Sequence, residues 1–118
     1  VLREFSKFIE KNYKSWINSE ENRPLLSVDV VRESVIPLLK QGYNVFFFVL
    51  DCMRYDQWLV MEELLREYFR INKVSYYSIL PTATPYSRNA IFSGLFPSEI
   101  EKYYPELWTH GNDDERAP

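Results

Sequence analysis

Apolar residues in the first segment recur at steps of three and four, which is the spacing of one helical face. The residues with this spacing are Leu2, Phe5, Phe8, Ile9, Tyr13 and Trp16. Lysines and glutamates fill much of the opposite side. We therefore expect a helix over residues 1–18, followed by a polar stretch that closes at Pro24.

A second apolar stripe predicts a helix over residues 28–40. Ser27 stands where an N-cap is expected, and Gly42 stands where the helix should end. Pro37 falls inside the stripe, so its missing N–H should kink the helix or mark a new start.

The pattern then changes to unbroken apolar runs. Residues 44–50 are β-branched and aromatic without alternation, which is typical of a strand buried on both faces. A helical pattern covers residues 58–70, and residues 74–80 are a second strand candidate. Strand, helix and strand form a βαβ unit, whose crossover is right-handed.

The last third of the chain predicts short elements. We expect a helix over 86–94 that ends at Gly94, one helical turn with coil over 97–108, and a polar loop over 109–118. Two hydrophobic parallel strands cannot cover both of their faces. The predicted fold class is therefore α/β, a helical segment followed by the start of a mainly parallel sheet, as an incomplete fragment of a larger domain.

Composition narrows the function classes. The 118 residues have room for one domain, and a net charge of -3 argues against a general nucleic-acid-binding surface. One Cys and one His exclude a disulfide framework and a His-rich metal site made by this chain alone. No apolar run approaches the roughly 20 residues that span a bilayer, and the first residues do not resemble a secretory signal. We expect a cytoplasmic protein without membrane contact.

Asp51 directly follows the first predicted strand and begins the sequence Asp-x-x-Arg-x-Asp. Open α/β sheets bind ligands at the carboxyl ends of their strands, and a carboxylate there suits a hard or borderline cation. A purely structural interpretation stays open. In it Asp51 turns the chain, Asp56 caps the next helix, and Arg54 pairs with either acid.

Thr84 follows the second predicted strand and stands directly before Pro85. This pair is typical of an N-cap and a first helical residue, which is a sufficient structural explanation. The same helix N-terminus also suits a phosphate or sulfate group, and a hydroxyl held there against a divalent cation becomes a nucleophile. Ser87 and Arg88 lie in the first turn, where a guanidinium binds two oxyanion oxygens at once. A solvated salt bridge is the alternative for Arg88.

Both motifs follow strands of one predicted βαβ unit. Asp51 and Thr84 should therefore emerge at the same edge of the sheet, although they are far apart in the sequence. A nucleophile beside a metal-binding carboxylate is what hydrolysis of phosphate esters requires.

The order of these motifs resembles the alkaline phosphatase superfamily, and more closely its PglZ-domain branch. The resemblance covers roughly residues 42–108. It rests on the apolar strand before Asp-x-x-Arg-x-Asp, on Pro-Thr-x-Thr ending at Thr84, and on Ser-Gly-Leu-Phe-Pro over 93–97. Thr84, Ser87 and Arg88 are also similar to the nucleophile, +3 and +4 positions of sulfatases.

This resemblance implies a metal-dependent hydrolase. It makes Asp51 a metal ligand, Thr84 the nucleophile and a metal-bridging hydroxyl, and Arg88 and Ser87 substrate-binding residues. The superfamily holds two metal ions, expected to be zinc, with further downstream Asp and His ligands that this chain does not contain. We therefore expect the 118 residues alone to be inactive and to hold no zinc tightly. His110, in the polar tail, is not assigned as a ligand.

The whole pattern resembles PorX-type response regulators, in which a helical linker joins a receiver domain to a C-terminal PglZ domain. The predicted division is a helical linker over 1–41 and the N-terminal portion of a PglZ domain over 42–118. The resemblance implies two-component signalling linked to type IX secretion. It also implies an upstream receiver domain in the same chain, a cognate histidine kinase, and a phosphate-ester or nucleotide substrate.

Two further hypotheses stay open. In one, the α/β part is a non-catalytic signalling module, and the helices relay the state of the receiver domain. In the other, the N-terminal helices form a homodimer through Phe5, Phe8 and Trp16, which we expect to be exposed.

Overall fold

Helices dominate the part of the chain that the structure describes. The computed structural model describes residues 1–108. Its α-helices are α1 (Leu2–Asn18), α2 (Ile36–Lys40), α3 (Tyr55–Leu65), α4 (Thr84–Ser93) and α5 (Pro97–Tyr103). Two 3-10 turns, Ser27–Asp29 and Pro105–Leu107, and a π-helical turn, Val31–Val35, lie between or after them.

The prediction of a helix over residues 1–18 is confirmed by α1. The apolar face of this helix packs against residues from other parts of the chain. Trp16 is buried and lies edge-on to Phe8, with ring centroids 5.7 Å apart. It also lies 5.0 Å from the ring of Tyr77, which comes from a distant part of the chain. Ser19 then leaves the helix in an extended conformation, as the polar stretch predicts.

The aromatic surface predicted for a homodimer is only partly present. Trp16 is 8% exposed and belongs to the core, which corrects the expectation that it faces solvent. The cause is the ring of Tyr77, which covers the indole. Phe5 and Phe8 are exposed as expected.

The helix predicted over 28–40 forms as consecutive pieces of different pitch. The N–H of Ile36 donates to the carbonyl of Val31, five residues earlier, which defines the π-helical turn Val31–Val35. Pro37 comes one residue later and has no N–H to donate to the carbonyl four residues before it. The wide turn therefore accommodates the proline without ending the helical path.

Both glycines that were predicted to end helices do so. Gly42 adopts a φ of 85° after α2, and Gly94 adopts a φ of 67° after α4. A Cβ at Gly94 would lie 3.5 Å from the carbonyl oxygen of Val28, which is an ordinary contact. The left-handed backbone, rather than a lack of space, thus favours glycine there.

The predicted parallel sheet is not visible in residues 1–108. Neither 44–50 nor 74–80 forms a strand, and the one β-bridge among the described residues pairs Leu26 with Tyr77 in parallel. The N–H of Tyr77 donates to the carbonyl of Leu25 at 2.8 Å. The second strand candidate thus pairs with the loop before the first 3-10 turn. A strand needs hydrogen-bonding neighbours along its length, and the described residues supply few.

Residues 44–50 were predicted to be buried on both faces, and this is wrong, because none of them is buried. One side is partly covered: Phe47 lies edge-on to Phe92 of α4, with ring centroids 5.7 Å apart, and is still 39% exposed. The other side is more exposed, and its large residues are Phe46, Phe48 and Leu50. The segment keeps the alternation of a strand without its hydrogen-bonded neighbours.

Helix α3 begins and ends earlier than the predicted range 58–70. The side-chain oxygen of Gln57 accepts a hydrogen bond from the N–H of Arg54 at 2.9 Å, so the helix starts at Tyr55. It ends at Leu65, and residues 66–70 lie outside it. Residues 97–108 form α5 and a 3-10 turn, slightly more helix than predicted.

Glu62 of α3 is buried despite its charge. It pairs with Arg66 and with Lys73, whose Nζ lies 2.8 Å from Oε2. Lys73 first, and Arg66 after it, hold the pKa of the Glu62 carboxyl below its usual range. These contacts tie α3 to the segment that follows it.

The core is small and joins distant parts of the chain. Its buried residues are Trp16, Leu26, Val28, Ile79 and Ala90. They bring together α1, the first 3-10 turn, the 74–80 segment and α4. This arrangement places α4, which carries the candidate nucleophile, against the best-packed part of the described chain.

A buried ion pair closes the turn between α1 and the second helical segment. Arg23 donates to both carboxylate oxygens of Asp29, at 2.7 and 2.9 Å, and both side chains are almost fully buried. The N–H of Leu26 and the guanidinium of Arg32 also donate to Asp29. This carboxylate is therefore well satisfied by several donors.

Some predictions fall outside the described residues. These are the loop over 109–118 and His110 within it. The division into 1–41 and 42–118 also stays a prediction. Within residues 1–108, no helix has both the length and the apolar character that crossing a bilayer requires.

Candidate functional site

The N-terminus of α4 has no side-chain cap. The helix begins at Thr84, with Pro85 second and Ala83 at the N-cap position. The predicted N-cap at Thr84 is therefore off by one residue, because Tyr86 and Ser87 donate their N–H groups to the carbonyl of Ala83. An alanine side chain accepts no hydrogen bond, so the positive end of the helix is available to an anionic group.

Asp51 lies at a sharp turn after residues 44–50. Its Oδ1 accepts a hydrogen bond from the N–H of Cys52 at 2.9 Å, and Cys52 adopts a φ of 56°, which is uncommon for a residue with a side chain. The Oδ2 atom lies 3.9 Å from Nη1 of Arg88. Both side chains are partly exposed, so the pair adds little stability but marks where Asp51 lies.

This ion pair brings the two predicted motifs to one place. Arg88 comes one helical turn after Thr84, so the two residues share a face of α4. Asp51 therefore lies beside the face that carries Thr84. Within residues 1–108, no hydrogen bond or ion pair joins Asp51 directly to Thr84, and direct contact between the two stays a prediction.

Ser87 lies in the interior rather than on the accessible face of α4. Its Oγ is hydrogen-bonded to Ser78 Oγ at 2.6 Å and lies 3.4 Å from Ser27 Oγ. Ser27 was predicted to cap a helix. It instead lies buried inside a 3-10 turn, where its Oγ accepts the N–H of Ile79 at 3.1 Å. Ser87 is thus part of the fold in this arrangement, and a substrate contact through it stays a prediction.

No pattern in the sequence predicts the serine cluster formed by Ser27, Ser78 and Ser87. The sequence signal for such a cluster is a small polar residue with apolar neighbours, such as Ser78 between a tyrosine and an isoleucine. Ser27 and Ser87 are 60 positions apart, so no periodicity connects them.

The rest of Asp-x-x-Arg-x-Asp acts locally at the start of α3. Asp56 pairs with Arg54, as the structural interpretation allowed, and its Oδ1 accepts the N–H of Gln57 at 3.0 Å. Arg54 holds the pKa of the Asp56 carboxyl below its usual range. Asp56 is the second residue of α3, so the predicted N-cap role belongs to the position of Arg54 instead.

The described residues do not by themselves fit a zinc ion. Asp51 and Thr84 offer one carboxylate and one hydroxyl, whereas catalytic zinc takes three protein ligands and a water. No group of three or more His, Cys, Asp or Glu within residues 1–108 is arranged to hold a metal ion. Arg88 also places a positive charge beside the one carboxylate of the site.

A known protein family matches the part of the chain that contains the candidate site. The chain matches, over residues 30–116, the family described as the BREX system PglZ alkaline phosphatase-like domain. No curated protein matches the chain. The matched range includes Asp51, Thr84, Ser87 and Arg88 and covers well over half of the sequence. The chain therefore belongs to the PglZ family of alkaline phosphatase-like domains, as the order of its motifs predicts.

Proposed function

We propose that the chain forms the nucleophile-bearing part of a metal-dependent hydrolase of phosphodiesters or related phosphate esters. The observation that carries the proposal is the 3.9 Å approach of Asp51 to Arg88, which sets a carboxylate beside the helix that begins with Thr84. Membership of an alkaline phosphatase-like family supports hydrolytic chemistry.

Thr84 is the proposed nucleophile. It is partly buried at the first position of α4, where the uncapped helix end favours negative charge. In the proposed reaction its Oγ1 gives up its proton and forms a bond to phosphorus while the bond from phosphorus to the leaving oxygen breaks, and that oxygen takes up a proton to depart as the alcohol. The oxygen of a water molecule then bonds to phosphorus, the bond from phosphorus to Oγ1 breaks, and Oγ1 regains a proton. The helix end stabilises the charged phosphoryl oxygens in both steps.

Arg88 is the proposed substrate-binding residue. Its side chain is 41% exposed, and its contact with Asp51 involves one nitrogen at long range. Within residues 1–108 its five N–H donors make no hydrogen bond, so the guanidinium can bind two oxygens of a phosphate group. Ser87 is the weaker candidate, since its hydroxyl would first have to leave Ser78.

Zinc is the proposed cofactor, with two ions in the complete domain and with Asp51 and Thr84 among the ligands. The other ligands must come from outside residues 1–108, because these contain no suitable cluster of three. When bound, the metal adds positive charge that attracts a phosphate ester.

The signalling context is part of the proposal. The chain then belongs to the output domain of a cytoplasmic two-component response regulator linked to type IX secretion. A receiver domain upstream in the same protein, controlled by a histidine kinase, would act through the helical residues 1–41. In support, the hydroxyl of Tyr13 in α1 accepts the N–H of Leu80 at 2.7 Å, so α1 contacts the segment that leads into α4.

A non-catalytic signalling module is the second candidate, and one observation favours it. Arg88 already pairs with Asp51, the one carboxylate of the candidate site, and so competes with a metal ion for it. In such a module, α1 still transmits a signal to α4, and Thr84 has no chemical role. A homodimer through Phe5 and Phe8 is compatible with either candidate.

The substitution Thr84→Ala in the full-length protein that carries this chain separates the two candidates. With zinc supplied and bis-para-nitrophenyl phosphate as the probe, we expect release of nitrophenol to fall at least about 100-fold, because the nucleophile is lost. Asn89→Ala, at an exposed position of the same helix, is the matched control and should stay within about twofold. Unchanged hydrolysis in Thr84→Ala contradicts the proposed nucleophile, and a wild-type protein without hydrolysis favours the signalling module.

A further inference from the structure

A cavity of about 510 Å³ lies between α1 and residues 75–82. Its size falls within the range of sites that enclose small organic molecules. Every described side chain that lines it is uncharged. The lining residues that matter most are Phe5, Tyr13, Trp16, Tyr76, Tyr77 and Thr82. Because most of these residues are aromatic, the cavity offers ring faces rather than counter-charges to a ligand.

The aromatic walls of the cavity are held in place by the fold. Phe5 and Tyr77 are stacked, with ring centroids 6.3 Å apart and planes at 12°, and Trp16 lies 5.0 Å from Tyr77. Tyr77 is itself fixed by its backbone hydrogen bond to Leu25. A ligand that enters therefore has few side chains to order, which favours binding.

The cavity adjoins the start of α4. Thr82 in its wall precedes the candidate nucleophile by two residues. Ser78, also in the wall, is hydrogen-bonded to Ser87 of α4. Tyr13 accepts a backbone hydrogen bond at 2.7 Å from the segment on the other side of the cavity. The cavity and the proposed phosphate site thus belong to one connected part of the fold.

We propose that this cavity, called the aromatic cavity below, binds the uncharged aromatic group of a phosphate ester whose phosphate lies at the N-terminus of α4. The inference rests on the proposed function and names the substrate class for that site. Ring faces favour a flat aromatic group through stacking, and the uncharged lining leaves the phosphate outside.

The aromatic cavity favours the ring of such an ester over its charged part. The hydroxyls of Tyr13 and Ser78 already make hydrogen bonds within the protein, whereas those of Tyr76 and Thr82, also in the lining, make none within residues 1–108. A charged group would lose its hydration there without meeting a counter-charge, which costs free energy. The proposed substrates are therefore phosphate esters with an uncharged aromatic group, of which aryl phosphates are the simplest.

Calorimetric titration of the chain with naphthol tests the aromatic cavity without any hydrolysis. We expect wild-type chain to bind naphthol with a negative heat-capacity change. Ser75→Phe places a ring in the cavity from an exposed position and should weaken binding at least about tenfold, because the space is filled. Ser98→Phe, at an exposed position of α5, is the matched control and should keep the affinity within about twofold.

The outcomes separate the aromatic cavity from the proposed hydrolase. The proposal for the aromatic cavity is overturned if wild type does not bind naphthol, or if wild type and Ser75→Phe bind it equally. Either result holds whatever the full-length protein hydrolyses. If Ser75→Phe abolishes naphthol binding while Thr84→Ala leaves hydrolysis unchanged, ligand binding in the aromatic cavity is supported and the role of Thr84 as nucleophile is overturned. Thermal melting by circular dichroism checks that the variants are folded, and Ser75→Leu gives the same readout where the larger ring disturbs the fold.

Discussion

Two apolar regions of the described chain differ in whether other segments of the chain pack against them. Around Trp16, residues such as Leu26 and Ile79 arrive from distant segments and are buried together. In residues 44–50 the side chains are at least as apolar, yet Phe46 is 83% exposed. Apolar character alone therefore does not bury a segment, because a second surface must meet it.

The ion pairs of the two regions differ in the same way. Arg23 and Asp29 meet in the interior and are joined by further donors, whereas Arg54 and Asp56 pair in solvent at the start of α3. Burial makes a charge costly to leave unpaired, while water compensates an exposed one. Stability should therefore depend far more on the first pair than on the second.

The substitution Asp29→Asn should break this comparison most strongly. It leaves the buried guanidinium of Arg23 without its counter-charge, so we expect the free energy of unfolding to fall by about 3–5 kcal/mol. Urea denaturation followed by circular dichroism measures the loss. Asp56→Asn, in the exposed pair, is the control and should shift the midpoint little. Equal losses in the two variants would contradict the contrast.

Truncation of a core residue should have the next largest effect. Ile79→Ala opens a cavity at a fully buried position, and we expect a loss of about 2–5 kcal/mol in the same measurement. Phe48→Ala removes a larger side chain from the exposed region, yet it should stay within about 0.5 kcal/mol. A loss in Phe48→Ala as large as that in Ile79→Ala would show that residues 44–50 are covered.

Removing one hydroxyl from the serine cluster should cost less. Ser87→Ala leaves Ser78 and Ser27 without their shared partner, so we expect a loss of about 1–2 kcal/mol. Ser98→Ala, on exposed α5, is the control for the loss of a serine hydroxyl. If both variants unfold at the same urea concentration, the cluster adds no stability.

The smallest expected effect is a change in pH dependence. Because Lys73 and Arg66 lower the pKa of Glu62 in the folded state, the unfolded chain takes up this proton at a higher pH than the folded chain does. The contribution of Glu62 to stability is thus complete above its usual pKa and is lost as pH falls through the lowered value. In Glu62→Gln the urea concentration at the unfolding midpoint should fall less steeply than in wild type as the pH is lowered. The control Glu63→Gln, at an exposed position, should behave like wild type. Parallel declines in wild type and Glu62→Gln would contradict this.

The sequence predicted those parts of the fold that depend on neighbouring residues. Helix α1 follows from apolar spacing, and Gly42 and Gly94 end helices because each adopts a left-handed backbone. The strands predicted over 44–50 and 74–80 depend on distant partners, and local composition does not say whether these are present. Pairing of Tyr77 with Leu26 is such a long-range event.

The candidate site divides into a part that the sequence predicts and a part that it does not. Motif order predicts that Asp51 and Thr84 lie together. The structure brings Asp51 to Arg88, one turn along the same helix, and contact between Asp51 and Thr84 itself stays a prediction. The interior position of Ser87 was not predictable, because its partner Ser27 lies 60 residues away. A serine in the first turn of a helix has the same sequence signal whether it faces solvent or the core.

The wide turn at Val31–Val35 has a consequence for insertions and deletions in this family. A π-helical turn holds one more residue than an α-helical turn, so it is equivalent to a single inserted residue. Loss of one codon there, for example that of Ser34, would restore ordinary helical spacing. Leu38 and Leu39 would keep nearly the same direction, because the wide turn absorbs the extra residue that in a regular helix would rotate them by about 100° around the axis. Relatives that differ by one residue in length at this position would therefore turn the same side chains toward the same neighbours.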